Sequence, residues 1–152
     1  WRYYEIDPDV IRIARDPGYF TYLPVCAPNA DIVLGDARVK LEREAPASFD
    51  YLLIDAFSSD SIPVHLLTKE AIELYASRLA PGGVLAMHIS NRHLHLAPIV
   101  AATAGAAGLT AIGFGDQYGR DEGLESLARG TGGRSGAARL APGLLSLVTS
   151  PP

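Results

Sequence analysis

The chain is poor in cysteine, has no basic cluster and contains no long apolar run, and each lack closes off a class of function. The single Cys26 excludes an internal disulfide and any multi-cysteine metal site, which fits a reducing compartment. No stretch of about 18 apolar residues occurs, so these residues include no membrane span. Lysine and arginine are scattered, and 13 basic against 17 acidic residues leave a formal charge of −4. That balance repels phosphates and argues against a nucleic-acid partner; it suits cationic or neutral small molecules. Trp1-Arg2-Tyr3-Tyr4 shows neither an initiator methionine nor a signal-peptide pattern and opens directly into a strand, so the chain reads as a piece of something longer. No internal repeat is visible.

What is present is a globular domain's worth of sequence: 152 residues, 48% of them hydrophobic. The central stretch is Phe49-Asp50-Tyr51-Leu52-Leu53-Ile54-Asp55-Ala56-Phe57-Ser58-Ser59-Asp60-Ser61-Ile62-Pro63. Its apolar run 51–54 fits a strand buried on both faces of a parallel sheet, and it stops abruptly at Asp55. Around it the pattern alternates. A β-leaning run at 3–6 leads into Asp7-Pro8-Asp9, a helix start with a cap, a proline at the first helical position and an acid in the first turn. Val10, Ile13 and Ala14 give that helix an apolar face, and Pro17-Gly18 stops it. A strand over 32–34 ends in Gly35-Asp36-Ala37, with Asp36 the cap of a modest helix over 38–44. Thr68 caps an amphipathic helix whose inner face is Leu67, Ala71, Leu74, Tyr75 and Leu79. Pro81-Gly82-Gly83 is a turn into a strand over 84–89, and a helix over 97–107 and a strand over 109–114 follow. Strand–helix alternation with short loops predicts an α/β fold with a mainly parallel sheet. Residues 116–152 change character: rich in Gly, Ala, Arg and Ser, they read as an irregular tail with one brief apolar run at 144–148.

The chemistry lies at the strand ends. In open α/β sheets ligands bind outside the carboxyl ends of the strands, and here those ends carry Glu5 and Asp7, then Asp36, then Asp55, then His88, Ser90 and Asn91. Taken alone, Asp55 is equally compatible with a turn cap and a site acid, and Asp7 and Asp36 are at least as good as caps. Acids at successive strand ends favour a site. Glu5 is placed to accept both hydroxyls of a ribose, Asp36 to accept an exocyclic adenine amino group, and the Ala37 backbone N–H to meet a ring nitrogen.

The pieces Y-Y-E-I-D-P-D-V-I, V-L-G-D-A-R, F-D-Y-L-L-I-D-A-F-S-S-D and L-A-P-G-G-V-L together resemble the spermidine synthase family of aminopropyltransferases, which is built on the class I S-adenosylmethionine methyltransferase fold. The wording D-A-F-S-S-D-S-I-P-V-H-L-L-T is most similar to the spermidine synthase-like domains that in some proteins follow a membrane-embedded half. The resemblance covers residues 3–115, a partial domain, with 116–152 as the tail. It implies that Glu5 holds the ribose of decarboxylated S-adenosylmethionine, or of S-adenosylmethionine, as co-substrate, that Asp36 and Ala37 hold the adenine, and that Asp55 orients the attacking amine and takes its proton. It implies a polyamine substrate such as putrescine and no metal. The family pattern has two aspartates separated by two residues and followed by proline; here Asp55 and Asp60 are separated by four and Pro63 comes later, and Asp60 is the candidate second amine ligand. The family's first strand and glycine-rich loop have no counterpart before Tyr3, so the chain is expected to be an N-terminally truncated domain, inactive alone. Its expected location is the cytoplasm, with attachment to a membrane-embedded half and homodimer formation both open.

Two other classes remain alongside this one. A methyltransferase would use the same nucleoside edge on another acceptor, without needing paired acids, and a non-catalytic nucleotide-binding remnant would fit the missing glycine loop. Weaker signals carry less. His88, His93 and His95 lack a supporting third ligand spacing for a metal. No Gly-x-Ser-x-Gly surrounds Ser58, Ser59 or Ser61, and Arg120, Arg129, Arg134 and Arg139 read as solvated charges.

Overall fold

A computed structural model of the chain describes residues 1–56, 62–89, 94, 96–114 and 144–149. The chain divides into two compact units, Trp1–Glu44 and Ala45–Pro152.

In the first unit, strand β1 (Arg2–Glu5) runs into helix α1 (Pro8–Arg15), then the short helix α2 (Tyr22–Cys26), strand β2 (Asp31–Leu34) and helix α3 (Ala37–Leu41). The local signals act as expected. Asp7 caps α1 by accepting the Asp9 N–H at 2.8 Å, and Asp36 caps α3 by accepting the Val39 N–H at 3.1 Å. The helix over 38–44 is shorter than its pattern suggested, ending at Leu41, which is fully buried. Strands β1 and β2 are parallel, with Tyr3 opposite Ile32 and Glu5 opposite Leu34. Arg2 clamps this pair, its Nε on Asp31 and its Nη1 on Glu44, each at 2.7 Å. The Tyr4 hydroxyl donates to the other Glu44 oxygen at 2.9 Å. Burial, followed by that bond to Glu44, pushes the Tyr4 phenol up to about 12.

The second unit contains β3 (Phe49–Ile54), a 3₁₀ turn at Val64–Leu66, α4 (Lys69–Arg78), β4 (Leu79–His88), α5 (Leu96–Ala106), β5 (Leu109–Phe114) and β6 (Leu144–Thr149). Its sheet runs β3-β4-β6-β5. Strands β3 and β4 pair in parallel, while β6 lies antiparallel to both β4 and β5, so β3, β4 and β5 share one direction. Strand β6 falls within the stretch expected to be an irregular tail. Its backbone satisfies two ladders at once, one to β4 and one to β5, and such long-range pairing leaves little local trace in a short apolar run. The rest of 116–152 lies outside the described residues.

Thr68 caps α4 by accepting the Ala71 N–H at 3.2 Å. The helix buries Ala71, Ile72 and Tyr75 completely, and Leu79 follows it into the core. Ile72 thus joins the inner face, while Leu67 and Leu74, expected there, are only half-buried. Leu85, Ala86 and Met87 of β4, with Val100 and Ala104 of α5, complete a fully enclosed centre. The expected turn at Pro81-Gly82-Gly83 is an irregularity inside β4: Phe49 pairs with Leu79 but Tyr51 with Val84. Gly82 there has φ +78°, a conformation glycine adopts at little cost. A Cβ on Gly83 would stand 2.9 Å from the Ala80 carbonyl and 3.2 Å from that of Phe49.

Candidate functional site

In the first unit, β1 and β2 deliver their carboxyl ends side by side. The Gly35 N–H donates to the Glu5 carbonyl at 2.8 Å, which extends the pairing by one step and ties the Gly35-Asp36-Ala37 turn to the end of β1. Glu5 is half-buried, and its Oε1 accepts the Asp7 N–H at 2.8 Å. Since each carboxylate oxygen has two lone pairs, that bond leaves acceptor capacity for vicinal ribose hydroxyls. Asp36 does act as the helix cap that its sequence allows, through Oδ1. Ala37 is the first residue of α3, a position whose N–H has no intrahelical acceptor.

In the second unit, Asp55 directly follows β3. The strand expected to be buried on both faces is buried on one: Leu52 and Ile54 are enclosed while Tyr51, Leu53 and Asp55 are exposed, the period-two pattern of a strand at the end of its sheet's order. The parallel register pairs Leu53 with Ala86 and Ile54 with Met87. One step further, Asp55 Oδ1 and His88 Nδ1 stand 2.8 Å apart, with side-chain exposures of 54% and 34%. An ionised carboxylate can only accept, so Nδ1 carries the proton in this bond. This pair is the feature that the sequence did not announce. From sequence alone His88 is a strand-end polar group and one of three histidines, and its signal is its place at the end of the strand after Asp55.

Asp60, the candidate second amine ligand, lies outside the described residues, as do His93, His95 and the serines around Asp60. Among the described residues no group of three His, Cys, Asp or Glu side chains could hold a metal ion. Likewise no helix among them is long and apolar enough to cross a membrane.

No family model matches the chain. A polyamine aminopropyltransferase from Vibrio vulnificus is 39% identical over 83 residues, 53% of this chain and 26% of that protein. Over that stretch the chain is similar to the aminopropyltransferases. The backbone agrees: a probable spermidine synthase from Corynebacterium glutamicum superposes over 98% of the chain and 46% of its own length, with TM-score 0.62 and 22% identity. The spermidine synthase of Thermotoga maritima gives 0.56 at 16% identity over 97% of the chain and 43% of its own length. A methyltransferase from Archaeoglobus fulgidus, described as dependent on S-adenosylmethionine, gives 0.50 at 12% identity. The chain therefore has the Rossmann-like class I methyltransferase fold. It spans about a quarter of the length of the curated relative it matches and under half that of the two solved synthases.

Proposed function

We propose that this chain supplies the nucleoside-binding and amine-binding strand ends of an aminopropyltransferase that moves an aminopropyl group from decarboxylated S-adenosylmethionine to a polyamine such as putrescine. The observation that carries the reading is Asp55: a solvent-accessible carboxylate at the carboxyl end of a parallel strand, held at one oxygen by His88. Its support is the sequence match to a polyamine aminopropyltransferase and the fold shared with a spermidine synthase solved in complex with the transition-state analogue AdoDATO.

In this reading Glu5 accepts the ribose hydroxyls, while Asp36 and the Ala37 N–H meet the adenine. The bound sulfonium supplies an electrophilic carbon with a good leaving group. A primary amine with pKa about 10 is protonated and non-nucleophilic at neutral pH. Asp55 attracts that cation and accepts its proton. The freed nitrogen lone pair then forms the C–N bond as the C–S bond breaks; the bonding pair returns to sulfur, leaving a neutral thioether. Most of the acceleration comes from holding the two reactants together. Asp60 is the second amine ligand in this scheme.

The test is release of methylthioadenosine by the full-length polypeptide given decarboxylated S-adenosylmethionine and either putrescine or spermidine. Transfer to one of these amines is expected. Methylation of an acceptor with S-adenosylmethionine and no aminopropyl transfer would establish the methyltransferase alternative instead.

A further inference from the structure

We propose that His88 is a positioning residue: its Nδ1–H fixes the Asp55 carboxylate so that the oxygen it does not hold takes the proton of the attacking amine. The role rests on the aminopropyltransferase reading; the pairing itself rests on geometry alone.

Three observations build it. Strands β3 and β4 are parallel and in register through Ile54 and Met87, so the next residues of each strand are neighbours with side chains on the same face. The Nδ1–Oδ1 separation of 2.8 Å is that of a charge-assisted hydrogen bond. Asp55 is more than half exposed and directly follows the last residue of its strand. A carboxylate so placed needs a partner to hold one orientation, and among the described residues His88 is the side chain that bonds it. The imidazole is less exposed than the acid and stands on β4, whose preceding residues Leu85, Ala86 and Met87 are fully buried, so it is the anchored member of the pair. With Oδ1 engaged, Oδ2 is the oxygen turned to a cationic amine. During transfer the acceptor nitrogen gives up one proton to that oxygen while the C–S electron pair stays with sulfur, so His88 need not change protonation state and acts only through Asp55.

Two substitutions and one spectrum test this in the full-length polypeptide. His88→Ala removes the donor; His88→Asn keeps an N–H at the position of Nδ1 without an ionisable ring. His88→Ala is expected to lower kcat for aminopropyl transfer by about 10- to 100-fold, the scale on which misplacing a catalytic group acts, with KM for the nucleoside donor little changed. His88→Asn should recover most of that loss. Wild-type turnover in His88→Ala, or equal losses in both variants, would overturn the proposal. Independently of activity, ¹⁵N spectra of the imidazole should show Nδ1 protonated in the wild type and a shift towards the Nε2–H tautomer in Asp55→Asn. An unchanged tautomer would overturn the pairing. A wild type that transfers nothing, yet whose imidazole still switches, would overturn the aminopropyltransferase reading and the role of His88 with it, while leaving the pair standing.

Discussion

Replacing Asp55 by asparagine separates a catalytic carboxylate from a structural one, because the structure assigns very different sizes to the two effects. The substitution keeps shape and removes the charge and the proton acceptor. Asp55 and His88 are 54% and 34% exposed, so their hydrogen bond is well solvated and contributes only about 0.2–1 kcal/mol to folding. For a chain of this length that corresponds to a fall in Tm of at most about 2–4 °C. If Asp55 is the base that orients and deprotonates the amine, turnover should drop about a hundredfold or more, the usual contribution of a general base. Nucleoside affinity should hardly move, since the proposed nucleoside contacts are Glu5, Asp36 and Ala37. Melting, calorimetric titration with methylthioadenosine and aminopropyl transfer should be measured on one preparation of the full-length polypeptide. A variant that melts many degrees lower while each folded molecule retains its rate would refute the assignment and return Asp55 to the role of a loop cap.

Glu5→Gln should weaken methylthioadenosine binding by about 1–3 kcal/mol, the cost of a hydrogen bond left unmade, while its amide oxygen can still accept the Asp7 N–H; an equal loss in His93→Ala would sink the assignment of Glu5. Tyr4→Phe bears on pH. The phenol is pushed up to about 12, chiefly by burial, from about 10 in the unfolded chain, so the fold favours the neutral form. That contribution is complete below pH about 10 and is lost as pH rises towards 12. With its hydroxyl bonded to Glu44 the wild type should melt above Tyr4→Phe at pH 8, and the gap should close between pH 10 and 12 as the phenol ionises; a constant gap across that window would contradict the burial of the phenol. At the glycines, Gly83→Ala forces a Cβ against the Ala80 and Phe49 carbonyls and should lower Tm, whereas Gly105→Ala in α5 meets nothing within 4 Å and should stabilise by about 0.5–1 kcal/mol. The reverse order in a thermal melt would refute the packing at the β4 irregularity.

Much of this chain was legible from local chemistry. Asp7, Asp36 and Thr68 each satisfy an N–H at the second or third position of the helix that follows, so the starts of α1, α3 and α4 were written in a few adjacent residues. The apolar run from Tyr51 to Ile54 and its stop at Asp55 likewise announced a strand with an acid at its end, and the motif wording carried the resemblance that the sequence match and the fold bear out. What the tertiary structure decided involves partners far apart in sequence. The place of β6 between β4 and β5, the absorption of Pro81-Gly82-Gly83 into β4 and the bond from His88 to Asp55 all follow from strand register. Register is set by which backbone ladders close and which faces are buried, and a one-residue slip would turn His88 to the opposite face from Asp55. Local propensity fixes where a strand ends, but only the pairing of two strands determines which side chains meet there.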